Sequence, residues 1–239
     1  MIPKIIHYCW YGNSVKPQMV LDCIQSWRKL HPEYEIKEWN EFNSPKHHIV
    51  TSNIKNKIWA YASDYTRLYA LYTYGGFYLD TDFFLLKSLE ELRTEHCILA
   101  FESREWVTNG FAASSKHHSF FKECLKALEQ KGHTRLKPYI APHLTTDILK
   151  TYQSTLEYKD QTISGIRILL APTFYPFTYN EVRNNTLNSL IASCPKSSYG
   201  IHLFMHSWKD SSLDYNSLER LSLLFRKLMT KLKYVREQS

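Results

Sequence analysis

Asp80-Thr81-Asp82 places two carboxylates one residue apart, just after the β-like run Phe77-Tyr78-Leu79. Side chains alternate along a strand, so residues two apart point the same way. A strand running from Phe77 to Asp82 would turn both acids toward one pocket. Clustered carboxylates repel unless a cation or a donor-rich ligand sits between them. A hard divalent ion with a phosphate behind it meets that need. The pair therefore points to metal-dependent chemistry on a nucleotide-linked substrate. A bare Asp-x-Asp is weak evidence, and its plain alternative is a solvated turn carrying two acids. The flanks shift the balance, because Phe77-Tyr78-Leu79 precedes the pair and Phe83-Phe84-Leu85-Leu86 follows it. Acids between apolar runs belong near the end of a buried strand, where an unpartnered charge is costly.

The segment upstream supplies a second pair. Ile54, Ile58, Tyr61, Ala62, Tyr65, Leu68 and Tyr72 recur at spacings near three and four, which predicts an amphipathic helix over 54–74. Asp64 and Arg67 are three apart and share one face of it. An ordinary surface ion pair is the plain reading of that spacing. Gly75-Gly76 stops the helix and turns the chain into the strand.

Ser63-Asp64-x-x-Arg67 followed by Tyr74-Gly75-Gly76-x-Tyr78-x-Asp80-x-Asp82 resembles the signature of glycosyltransferase family 32. The same pattern is similar to the catalytic core of the large clostridial glucosylating toxins. Two further blocks agree in order. Ile2 to Gly12 resembles the family's opening strand, which ends in a Trp followed by Gly. Ile201 to Trp208 resembles its His-containing segment ending in Ser-Trp. The resemblance covers about residues 1–210 and is weak between Lys116 and Tyr199.

The resemblance implies a role for each matching residue. Asp82 matches the direct ligand of Mn2+ or Mg2+. Asp80 matches the acid that contacts the donor ribose or sugar and supports the metal through water. Asp64 and Arg67 match the pair holding the donor sugar hydroxyls and the phosphate side, for which a guanidinium is suited. Trp10 matches the aromatic stacked on the nucleobase, with core packing as its alternative. Tyr78 aligns with a tyrosine near the same site, and Asn109 with an Asn that follows the metal motif. Ser207 and Trp208 match the closing segment on the leaving diphosphate. His202 is a candidate third metal ligand, against a satisfied core histidine. His206 stands where the family more often has a small residue, and either replaces or assists His202.

The elements around these residues read as alternating strands and helices. Strands are expected over 5–10, 34–39, 77–82, 97–101, 107–113 and 166–170. Helices are expected over 17–30, 54–74, 119–130 and 145–152, and 172–179 reads as irregular. This alternation predicts an α/β sheet with ligands at its strand carboxyl ends. With the resemblance, the expected fold is the GT-A nucleotide-sugar-binding type, a Rossmann-like mixed sheet flanked by helices, over residues 1–212.

The remaining features bound the class. The chain has 239 residues, 44% hydrophobic and 22% charged, which is globular composition. No run of eighteen apolar residues occurs, and the chain opens on a strand-like block, so neither a membrane span nor a signal peptide is expected. Five scattered cysteines form no zinc spacing or disulfide framework, as in a reducing cytoplasm. The net charge is +7, and residues 213–239 read as a basic amphipathic helix. Two readings of it stand side by side: peripheral contact with anionic lipid on the inner face of a membrane, or a terminal helix docked on the domain. No nucleic-acid-binding motif accompanies the charge.

The expected activity is transfer of a hexose from a nucleoside diphosphate sugar, UDP-hexose by the toxin-like placement of Trp and Arg. The acceptor is a saccharide or lipid-linked saccharide of capsule, lipopolysaccharide or another surface polysaccharide. The resemblance implies retention of configuration. A protein acceptor, a non-catalytic sugar-nucleotide binder and a phosphatase using Asp80 are the alternatives. The last class wants a small residue soon after the second acid, where Phe83-Phe84 stand.

Overall fold

The computed structural model describes residues 1–131 and 140–205. His206, Ser207, Trp208, the boundary at 212 and the basic helix expected over 213–239 lie outside the described residues.

The chain order begins with β1 (Ile5–Cys9), α1 (Gln18–Leu30), β2 (Glu35–Trp39), α2 (His48–Lys55), α3 (Trp59–Tyr74), β3 (Gly76–Leu79) and β4 (Phe83–Leu85). It continues through β5 (Cys97–Phe101), β6 (Val107–Ser114), α4 (Ser119–Lys131), α5 (Ala141–Tyr152), β7 (Gln161–Ile163) and β8 (Ile166–Leu169). It closes with α6 (Tyr179–Arg183), α7 (Leu187–Ser193) and β9 (Gly200–His202).

Seven strands form one mixed sheet in the order β2-β1-β3-β6-β5-β8-β7. β1 is parallel to β2 and β3, and β5 is parallel to β8. β6 runs antiparallel to both β3 and β5. Two reversals restore direction, so β2, β1, β3, β5 and β8 all end at one edge. That edge is where an open α/β sheet binds ligands.

Alternation along β1 sorts its two faces. Tyr8 meets Trp27 of α1 edge-on at 5.7 Å, while His7 faces Trp39 and the α3–β3 junction. Trp27, Phe77, Phe111, Phe120 and Phe121 are fully buried. Each such side chain contributes about 1.5–3 kcal/mol of burial free energy.

Two expected elements change. The helix expected over 54–74 is two helices, α2 and α3, broken at residues 56–58. Lys57 there adopts a left-handed φ of 56°, and Ile58 N donates back to Asn53 O at 2.8 Å. No glycine or proline marks this break. The strand expected to reach Asp82 ends at Leu79. Asp80 N still donates to Gly110 O at 2.9 Å, and Phe83 N then turns back to Asp80 O at 3.0 Å. The chain leaves the main sheet here because β4 pairs antiparallel with β9, setting Phe83 opposite His202. The two acids therefore sit in a turn between two sheets rather than alternating along one strand.

Gly75 and Gly76 end α3 as expected, with φ of 65° and 97°. A Cβ at Gly76 would lie 2.6 Å from Ile5 O, so β3 can approach β1 only through glycine.

Candidate functional site

Arg67 is the centre of the site. It projects from α3 and is 7% exposed. Its Nη2 lies 3.3 Å from Asp64 Oδ1 and 3.1 Å from Asp80 Oδ1. Nη1 donates to Asn109 Oδ1 at 3.2 Å and reaches Asp80 Oδ2 at 3.5 Å. The guanidinium lies over the Tyr78 ring, 4.8 Å from its centroid, and the Tyr78 hydroxyl donates to Asp80 Oδ1 at 3.1 Å. Burial opposes the charge on Arg67, but Asp80, Tyr78 and Asp64 outweigh it and hold the group fully protonated. Its Nε is buried and has no protein partner.

Asn109 on β6 is fixed from both ends. Its carbonyl oxygen accepts from Arg67, and its Nδ2 donates to Thr145 Oγ1 on α5 at 3.1 Å. Next to it, Gly110 lets Asp80 approach the backbone. A Cβ at Gly110 would stand 2.7 Å from Asp80 Oδ2 and 3.1 Å from the Tyr175 hydroxyl.

Asp82 has a different neighbourhood. Its Oδ1 lies 3.2 Å from His202 Nε2 on β9, and its Oδ2 accepts from Met205 N at 2.8 Å. Burial would raise this carboxyl, but His202 and the backbone donors overcome it and hold it below the usual range. Burial alone would lower the His202 pKa, yet Asp82 and Asp80 raise it. Asp80 is pushed the other way. Burial, opposed by Arg67 and reinforced by the Asp82 charge, takes it up to about 6, although 29% of its side-chain surface still meets solvent.

The sequence-derived residues thus fall into three groups. Asp64, Arg67, Tyr78, Asp80 and Asn109 form one hydrogen-bonded network. Asp82 and His202 form a pair that shares its field. Trp10 follows β1 on the same edge, half-buried, outside both. Its indole N–H donates to Ser14 O at 2.9 Å, and Lys16 lies 5.6 Å from its ring centroid. Ser207, Trp208 and His206 lie outside the described residues.

The donor set fits a small divalent cation. Asp82 and His202, a carboxylate and an imidazole 3.2 Å apart, are the residues that would hold it. Nδ1 of His202 is buried without a protein partner. Among the described residues no three acidic, Cys or His side chains converge tightly enough to hold an ion alone. Ions of this class commonly take one or two protein ligands and complete their shell with substrate phosphates and water.

Several site residues escaped the sequence reading. Tyr175 takes Phe111 N on its hydroxyl at 3.0 Å and packs edge-on to His202 at 5.3 Å. Tyr11 bridges Ser44 and Thr66, at 2.6 and 2.8 Å. Thr145 anchors Asn109, and Glu102 approaches from β5. Each depends on a distant partner, and no local pattern marks it.

Known proteins resemble this chain over much of its length. A family model described as "Glycosyltransferase sugar-binding region containing DXD motif" matches residues 17–99. A second, "Alpha 1,4-glycosyltransferase conserved region", matches residues 113–228. The first holds Asp64, Arg67, Asp80 and Asp82; the second holds Thr145, Tyr175 and His202. Through these two matches the chain is similar to the DXD-motif glycosyltransferases. Lactosylceramide 4-alpha-galactosyltransferase of Rattus norvegicus is 25% identical over 68% of this chain and 45% of that protein. Inositol phosphoceramide mannosyltransferase 2 of Schizosaccharomyces pombe is 29% identical over 67% of this chain and 48% of that protein. The chain thus spans less than half the length of these relatives. The PaToxG glycosyltransferase structure superposes with a TM-score of 0.50 at 16% identity, over 64% of this chain and 70% of that one. The chain has the expected GT-A architecture, and the family 32 resemblance agrees with these matches. No described helix is long and apolar enough to cross a membrane.

Proposed function

We propose that this protein is a metal-dependent, retaining hexosyltransferase acting on a nucleoside diphosphate sugar. The observation that carries the reading is the buried Arg67 network beside the Asp82–His202 pair at the carboxyl edge of the sheet. A structural ion-pair cluster would satisfy its own donors; this one leaves Arg67 Nε and His202 Nδ1 without protein partners.

Asp82 and His202 would hold Mn2+ or Mg2+. Both oxygens of Asp80 already meet Arg67 or Tyr78, so Asp80 would support the ion from outside its direct ligands. The ion, when bound, neutralises charge that grows on the departing diphosphate. Arg67 sets its positive charge beside the donor's phosphate side, fixed in place before reaction. Asp64 accepts from donor sugar hydroxyls. Trp10 stacks on the base. Asn109 keeps Arg67 in register.

The acceptor hydroxyl oxygen bonds to the anomeric carbon on the face the diphosphate leaves. The bond from that carbon to the phosphate oxygen breaks, and the hydroxyl proton passes to the same phosphate oxygen. Configuration is retained without a covalent enzyme intermediate. A UDP-hexose is the donor we favour, from the arrangement of Trp10 and Arg67. The acceptor is a saccharide carried on lipid, as in capsule or lipopolysaccharide synthesis; both relatives above are named for ceramide-based acceptors.

A panel of UDP-glucose, UDP-galactose, UDP-N-acetylglucosamine and GDP-mannose with Mn2+, scored by nucleotide release, tests the reading. Release from one donor, abolished by EDTA, is the expected result. Tight binding with no release from any donor would leave only a sugar-nucleotide binder.

A further inference from the structure

Glu102 follows β5 at the same edge of the sheet, and the roles assigned above leave it unused. The strand order puts β2 and β1, with Trp10, on one side of β3. β6 and β5, with Glu102, lie on the other side. Asp80 and Asp82, at the end of β3, stand between. A donor with its base on Trp10 and its diphosphate at Asp82 therefore projects its sugar toward the β5 side.

Glu102 is half-buried, and it lies within electrostatic range of His202, Asp82 and Tyr175. Thr108 lies beside it. The Thr108 hydroxyl takes Gly110 N–H at 3.3 Å and stands close enough to the Glu102 carboxyl to favour its charged form. Thr108 itself is buried on β6. Glu102 thus stands among the buried polar groups of the site rather than as a solvated surface charge.

An aromatic residue stands across the same turn. Glu102 N donates to Trp106 O at 2.9 Å, closing the β5–β6 connection directly beyond the Phe101–Val107 pair. Trp106 is half-buried and lies 4.5 Å, centroid to centroid, from the His143 ring of α5. A carboxylate accepts hydrogen bonds from sugar hydroxyls, and an indole packs against the apolar face of a pyranose ring. The two together on one short turn, beside the reacting centre, suit a carbohydrate better than a peptide or a nucleobase.

We infer that Glu102 and Trp106 form the subsite for the acceptor sugar, a hexopyranoside whose hydroxyl donates to Glu102 while its ring rests on Trp106. This rests on the transferase reading above. Glu102 is a binding and positioning residue here, since the departing phosphate takes the acceptor proton.

Saturation-transfer NMR on the full chain with Mg2+ and UDP or GDP tests the inference. The probes are the methyl glycosides of glucose, galactose, mannose and N-acetylglucosamine. At least one should bind the wild type. Its affinity should fall about tenfold or more in Glu102→Gln and in Trp106→Ala, the effect of losing one charge-assisted hydrogen bond or one stacked ring. Nucleotide affinity should stay within about twofold in both variants, as expected for residues that do not touch the donor. Unchanged glycoside binding in both variants, a parallel loss of nucleotide binding, or no glycoside binding to the wild type would each overturn it. Failure of the wild type to bind any nucleotide would instead remove the transferase reading itself.

Discussion

Arg67 and Asp80, thirteen residues apart, meet through both terminal guanidinium nitrogens, at 3.1 Å to Oδ1 and 3.5 Å to Oδ2. This contact joins the face of a helix to the turn after a strand. It sets the orientation of the first acid of the Asp-x-Asp pair, leaving the second to His202.

Arg67→Lys keeps the charge and loses the fork. A lysine cannot serve Asp64, Asp80 and Asn109 at once. Nucleotide release should fall by about 100-fold or more, the range seen when one preorganised donor is removed. Comparison of kcat between wild type and variant, with thermal unfolding as the fold control, checks this.

Gly110→Ala adds one methyl 2.7 Å from Asp80 Oδ2. Asp80 is short and tied to Arg67, so it must rotate away from its partners. We expect donor turnover to fall about tenfold or more, since small misplacements at a reacting centre cost factors of this order. Destabilisation should stay near 1–3 kcal/mol, as for other overpacked sites. Steady-state kinetics beside denaturant unfolding separates the two.

The buried acids were legible because apolar runs flank them, and Asp64 and Arg67 because they lie one helical turn apart. The Arg67–Asp80 contact has no local signature; only the family resemblance brought those residues together. The strand from Phe77 stops short of Asp82 because the chain there turns to pair with β9, more than a hundred residues later. The break at Lys57 lacks any glycine or proline signal. Asn109 entered through resemblance alone. Thr145, Tyr175 and Glu102 become site residues only once α5, the segment after β8 and the β5–β6 turn fold over the sheet edge.

His7 gives a pH signature away from the site. Its Nε2–H donates to Gly75 O at 2.8 Å, and its Nδ1 accepts from Trp39 Nε1 at 3.2 Å. The Trp39 contact requires the neutral ring, and burial lowers its pKa from 6.5 to about 4 against the pull of the Gly75 carbonyl. Between these values the unfolded chain binds the extra proton and the folded chain does not. The His7 contribution is therefore complete above the unfolded value and is lost as pH falls through that window. Urea unfolding of wild type and His7→Gln at pH 7 and pH 4 should show a wild-type loss larger by about 1–3 kcal/mol. Equal losses would contradict the assignment.

Trp10 is assigned to the base. Trp10→Ala should weaken binding of the nucleoside diphosphate by about 10- to 100-fold, the worth of one stacked base. Trp10→Phe should recover part of it. Calorimetric titration of the nucleotide into each variant provides the comparison.

The central claim is that Asp82 and His202 grip a divalent cation that holds the donor's diphosphate. Titrating UDP into the full chain with Mn2+ and with EDTA, for wild type and Asp82→Asn, tests it most directly. The account predicts tight binding by the wild type only with Mn2+, and binding by the variant that Mn2+ no longer strengthens. Equal enhancement by Mn2+ in both proteins would contradict it.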